Sequence, residues 1–171
     1  MAEREANRAR EVEASPPGVY EFEATLRKRR RELAENGKIV IRGSETPFQQ
    51  GRQSRSKYFL HASAADAALQ GWLVFMQDIR TNSGRHRHQG GLAIYVVEGK
   101  GWTVVDGVRY DWVEGDLILL PVKPGGVEHQ HFNAEPGKSC KWLAMIYDHF
   151  VVATCSGLEQ SEASPDWKGH A

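Results

Sequence analysis

From residue 38 onward, short apolar and β-branched runs alternate with Gly, Asp and Pro breaks. The runs are residues 39–43, 57–60, 72–79, 90–97, 102–105, 108–112, 117–120, 141–147 and 151–154. Runs of this length between turn residues predict strands. Asp106-Gly107 stands between two of them and predicts a two-residue hairpin. Gly99-Lys100-Gly101 predicts another turn. Leu92, Ile94 and Val96 fall on one face of their run, as a barrel lining requires. Upstream, residues 20–36 have helical spacing, with Phe22, Leu26 and Leu33 near one face and Asn36-Gly37 as the stop. No strand–helix–strand alternation is visible. The pattern therefore predicts an all-β sandwich or barrel with a helical N-terminal extension. Residues 1–37 would be arm and helix, 38–156 the barrel, and 157–171 a loose polar tail.

A chain of 171 residues supports one domain with a sizeable core. Its 22 Lys+Arg balance 22 Asp+Glu, so no global field draws it to nucleic acid or a membrane surface. The basic run Lys28-Arg29-Arg30-Arg31 reads as a solvated helix face. Apolar stretches such as 117–122 are too short to span a bilayer. A charged N-terminus without an apolar run predicts a cytoplasmic protein. Cys140 and Cys155 lie in no CxxC and are expected as free thiols.

The candidate chemistry lies in histidines. His86-Arg87-His88 is followed by His129-Gln130-His131-Phe132-Asn133. Residues i and i+2 of a strand share a face, so each cluster presents two imidazoles together. Imidazole is the commonest protein metal ligand near neutral pH. A lone histidine is usually a packing or surface residue. Four in two same-face pairs predict a metal site.

The ordered pattern His86-x-His88, Gly99-x-Gly101, Gly115-Asp116, Pro124-x-Gly126-x-x-His129-x-x-x-Asn133 resembles the two motifs of the cupins, which are double-stranded β-helix (jelly-roll) barrels. The resemblance implies that His86, His88 and His129 are metal ligands. Three departures stand out. Arg80 occupies a position usually held by Gly. The segment from Gly115 to Pro124 is longer than usual. Leu92 stands where most metal-binding cupins place a glutamate ligand. Three imidazoles leave a divalent ion's full charge uncompensated, so the site is expected to favour an anionic, chelating substrate.

Within the cupins the chain looks most like ring-cleaving dioxygenases of the gentisate type. The segment 102–107 resembles their "YTVVDGE" stretch and His129-x-His131-x-Asn133 resembles "HDHGN". This implies a non-haem Fe(II) dioxygenase acting with O2 on an anionic aromatic or enolic small molecule. Those enzymes have two cupin domains and this chain has room for one, so substrate identity is not carried over. His131 is the candidate acid/base, or else a substrate contact or fourth ligand. Leu92, Trp102, Asn133 and Arg80 are candidate substrate-lining residues, with Asn133 better suited to capping a turn or orienting a ligand. Trp112 is a second candidate wall, and Arg52, Arg55 and Arg80 are candidate carboxylate clamps. Gln89 is a further candidate reaching the site. Two rivals remain: a non-redox cupin using Zn, Ni or Mn, and a small-molecule-binding barrel without turnover. The resemblance also implies a homodimer, with the Phe22/Leu26/Leu33 face across the interface or else covering its own barrel.

Overall fold

A computed structural model describes residues 18–169 of the chain. The elements are α1 (Val19–Asn36), β1 (Gln49–Gln50), β2 (Arg55–Leu60), β3 (Trp72–Asp78), β4 (Arg85–His88), β5 (Leu92–Glu98), β6 (Lys100–Val105), β7 (Val108–Val113), β8 (Leu117–Leu120), β9 (Val127–Asn133), β10 (Lys141–Tyr147), α2 (Asp148–Ala153) and β11 (Glu159–Glu162). The strands form two antiparallel sheets, ordered β1-β2-β3-β10-β5-β8 and β11-β4-β9-β6-β7. Their inner faces enclose a main core around Ile79, Leu92, Ile94, Leu120, Val127, Trp142, Ala144 and Ile146 and a smaller cluster of Val96, Trp112 and Cys140. Full burial of one such Ile or Leu side chain stabilises the fold by about 1.5–3 kcal/mol.

Local sequence explains how the sheets are joined. Asp106 and Gly107 both take positive φ, 48° and 85°, the conformation a tight β6–β7 hairpin demands. This turn fixes the register in which Thr103 faces Tyr110 and Gly101 faces Trp112. Gly101 leaves no room for a side chain: a Cβ there would come within 2.0 Å of the Phe132 carbonyl and 2.6 Å of the Trp112 ring. That close approach lets β6 lie between β7 and β9, placing Thr103 opposite His131.

Four expectations need correction. Residues 39–43 do not form a strand; Ile39 is 81% exposed and only Lys38 makes an isolated bridge, to Ala67. The segment 151–154 belongs to α2 and the turn after it, because Thr154 caps the helix by bonding back to the Phe150 carbonyl. The loose tail is not loose: β11 pairs with β4, and Ser164 is buried, its hydroxyl donating to the Asn82 carbonyl. Finally, α1 buries none of its residues, so it does not cover its own barrel. The charged arm of residues 1–17 lies outside the described residues.

Candidate metal centre and cavity

Register brings the histidines together. β4 and β9 pair with His86 directly opposite His129, and His88 follows on the same face. One ring nitrogen from each of His86, His88 and His129 lies within 4.8 Å of the others. Ring centroids are 4.2 Å apart for His86–His129, 4.8 Å for His88–His129 and 5.2 Å for His86–His88. Among the described residues no carboxylate joins this cluster. Leu92 occupies the place of the familiar acid and packs in the core, 6% exposed.

The proton on each ring can be placed from its partner. Nδ1 of His86 meets the Gly84 carbonyl at 3.1 Å, Nδ1 of His88 the Gln89 carbonyl at 2.6 Å, and Nδ1 of His129 the Val127 carbonyl at 3.2 Å. A carbonyl only accepts, so each Nδ1 carries the hydrogen and each Nε2 keeps a free lone pair. Burial also holds the three rings neutral. It lowers His86 to about 4, lowers His88, and with the neighbouring histidines takes His129 well below its ordinary value. Three neutral, oriented, convergent nitrogen donors fit an iron-type or zinc-type ion.

His131 differs. It is fully buried, and desolvation lowers it to about 3. Its Nδ1 meets the Thr103 hydroxyl at 2.7 Å, while Trp112 Nε1 donates to that same oxygen at 2.9 Å. If His131 also donated, the threonine hydrogen would have no acceptor among the described residues, at a cost of about 1–3 kcal/mol. Thr103 therefore donates to Nδ1, and the hydrogen of His131 is on Nε2. The ring stands beside Trp142, 4.8 Å between centroids, and is not part of the three-nitrogen cluster.

All four histidines line a cavity of about 210 Å³ between the sheets. An apolar cavity of ~150 Å³ already admits benzene, so a single-ring molecule fits. Leu92 lines it, as the sequence predicts, together with Ile94, Phe75 and Ile146. The other nominated lining residues do not. Trp102 points outward, stacked on Phe132 under the Arg109 guanidinium, since its neighbours Gly101 and Thr103 take the inward positions. Asn133 is a turn clamp: its Nδ2 donates to the Ile79, Arg80 and Lys138 carbonyls and its Oδ1 accepts from Glu135 N–H. Arg80 and Arg55 both pair with the buried carboxylate of Asp78, and Arg52 lies over Trp167. Gln89 spends its amide on the backbone of Lys123 and Gly90. Trp112 is buried but acts through Thr103. Cys140 and Cys155 are free. Sequence reasoning missed Gln53, Gln77, Trp142 and Asp148, which also line the cavity. The alternation in 72–78 and 141–147 could have found Gln77 and Trp142, which are directly paired across β3 and β10.

Comparison with known proteins agrees with this geometry. Residues 74–146 match the cupin domain model. Over 81 residues the chain is 35% identical to a 5-aminosalicylate 1,2-dioxygenase from a Comamonas species. That stretch is 47% of this chain and 20% of the relative, so the chain spans about a fifth of that protein's length. The polyketide cyclase RemF from Streptomyces resistomycificus superposes with a TM-score of 0.56 at 16% identity, over 75% of this chain and 89% of that one. A salicylate 1,2-dioxygenase from Pseudoaminobacter salicylatoxidans superposes with a TM-score of 0.53 at 22% identity, over 86% of this chain and 39% of that one. The two superpositions are a likeness of fold. Among the described residues no helix is long and apolar enough to cross a membrane. Strand order and the matched segment agree: the chain folds as a jelly-roll barrel of the cupin type, and residues 74–146 within it match the cupin domain model.

Proposed function

We propose that this protein is a metal-dependent cupin that uses Fe(II) and O2 to oxidise a small aromatic or enolic molecule, most simply by ring cleavage. The observation that carries the reading is the donor set: three neutral imidazoles, with Leu92 in place of an acid. Such a set leaves a divalent ion's charge to be offset by a chelating, anionic substrate. The 35% identity over 81 residues to an aminosalicylate dioxygenase supports the same chemistry. When bound, Fe(II) would supply the redox step that lets O2 attack an organic ring.

The chain's own part is positional. The Gly84, Gln89 and Val127 carbonyls aim three Nε2 lone pairs at one point. Leu92, Ile94 and Ile146 keep that point dry, which strengthens every polar contact beside it. His131 takes the role of a fixed hydrogen-bond donor at Nε2, able to stabilise an oxygen that gains negative charge. Its lowered pKa leaves it neutral at physiological pH, which favours the donor role over acid/base exchange.

Metal analysis of protein purified without added metal, followed by O2 uptake with catechols, hydroxybenzoates and β-diketones, tests the proposal. We expect uptake that requires Fe(II) and disappears with a chelator. Stoichiometric zinc and no uptake across the panel would instead favour a hydrolytic or lyase cupin, for which three histidines are also a suitable open site.

A further inference from the structure

The cavity wall carries polar groups that no described residue of the protein satisfies. Gln77 Oε1, both amide atoms of Gln53, and Trp142 Nε1 are buried with no hydrogen-bond partner among the described residues. Gln77 and Trp142 are 4% and 3% exposed and sit opposite each other on β3 and β10. All three side chains line the cavity. Unpaired buried polar atoms are rare in native proteins, and several converging on one cavity point to a ligand that satisfies them.

The charge of the same wall is equally informative. No Lys or Arg is among the described residues lining the cavity, and its one carboxylate is Asp148. The three arginines that the sequence nominated as clamps are held elsewhere, by Asp78 and Trp167. A carboxylate on the far end of a substrate would be desolvated without a counter-ion. Neutral donors and acceptors suit a neutral partner.

Resting on the chelation reading above, we propose that the cavity selects a single-ring chelator of a particular charge distribution. Its negative charge is confined to the end that binds metal, and its far end bears an uncharged hydrogen-bonding group read by Gln77, Gln53 and Trp142. The preference is built into the wall. Gln offers both a donor and an acceptor, the indole N–H adds a donor, and a hydroxyl or carboxamide can meet both kinds.

The test uses the full chain loaded with Co(II) in the absence of oxygen, whose visible spectrum reports chelation. Three probes share one chelating end: catechol, 3,4-dihydroxybenzamide and 3,4-dihydroxybenzoate. We expect the benzamide to bind at least tenfold more tightly than the benzoate, with catechol between them. Gln77→Leu should remove the benzamide's advantage over catechol while leaving the benzoate weakest. Gln53→Leu, on the loop before β2, carries the same expectation, so a folding failure of the first variant does not remove the test. Equal affinity for all three probes, or tightest binding of the benzoate, overturns the inference while leaving chelation intact. An unchanged benzamide advantage in both folded variants overturns the assignment of the reading residues. No spectral change with any probe overturns the chelation reading and this inference together.

Discussion

His129 and His131 stand two residues apart on one strand, face one cavity and are both buried, yet their neighbours prepare them for opposite work. A backbone carbonyl takes the Nδ1 hydrogen of His129 and leaves Nε2 as a lone pair. A threonine hydroxyl, itself held by an indole N–H, gives its hydrogen to Nδ1 of His131 and leaves Nε2 as a donor. The same side chain is thus left with a free lone pair or a free N–H at Nε2 according to what stands behind it. A histidine count alone cannot separate a four-ligand site from three ligands plus one donor; the partner of each Nδ1 can.

The largest expected break of this contrast is between His129→Ala and His131→Ala. Loss of His129 should lower metal affinity by at least about 100-fold and abolish turnover, since no side chain in the cluster replaces it. Loss of His131 should leave metal content near that of the wild type and reduce kcat by about 100-fold, the effect of deleting one donor aimed at developing charge. Metal titration with parallel O2 uptake reads both. Equal metal loss in the two variants would make His131 a ligand and erase the contrast.

Stability against pH comes next. All four rings have pKa values lowered in the folded state, chiefly by burial, with His86 at about 4 and His131 at about 3. The unfolded chain therefore binds more protons than the folded one below the ordinary value of 6.5. Stability of metal-free protein is full above that pH and is lost as pH falls toward 4 and 3, by an amount on the order of a few kcal/mol. Urea unfolding of chelator-treated protein at a series of pH values measures it. His131→Phe should flatten part of the slope.

Thr103→Val sharpens the contrast with a smaller effect. It keeps the shape but removes the hydroxyl, so His131 loses its fixed tautomer while the other three rings keep theirs. We expect roughly a tenfold loss of kcat with unchanged metal affinity, and recovery in Thr103→Ser. The smallest effect on chemistry is expected from Asn133→Ala. It should destabilise the fold by about 1–3 kcal/mol through the lost carbonyl contacts and leave metal affinity unaltered.

The sequence made the barrel legible because strand period, glycine turns and histidine spacing all point the same way. The Asp106-Gly107 hairpin and the 141–147 strand follow directly from local chemistry. Residues 39–43 misled because β-branched side chains favour a strand only where a neighbour pairs with them, and none of the described residues does. The tail misled in the opposite direction. β11 is polar, and its place beside β4 depends on long-range pairing that composition does not encode. Within the site, the same-face pairing of the histidines was readable from i and i+2 spacing, whereas Trp102 was misplaced because the inward positions of its strand go to Gly101 and Thr103. The arginine clamps failed for a related reason. A guanidinium goes to whichever carboxylate is nearest in space, and Asp78 lies next to two of them.

Nitrogen-15 NMR of the histidine rings in zinc-loaded protein at neutral pH tests the central claim most directly. Three rings should be protonated at Nδ1 and bound through Nε2, and His131 should be neutral, protonated at Nε2 and unligated. A fourth ligated ring, or His131 carrying its hydrogen on Nδ1, would contradict the account.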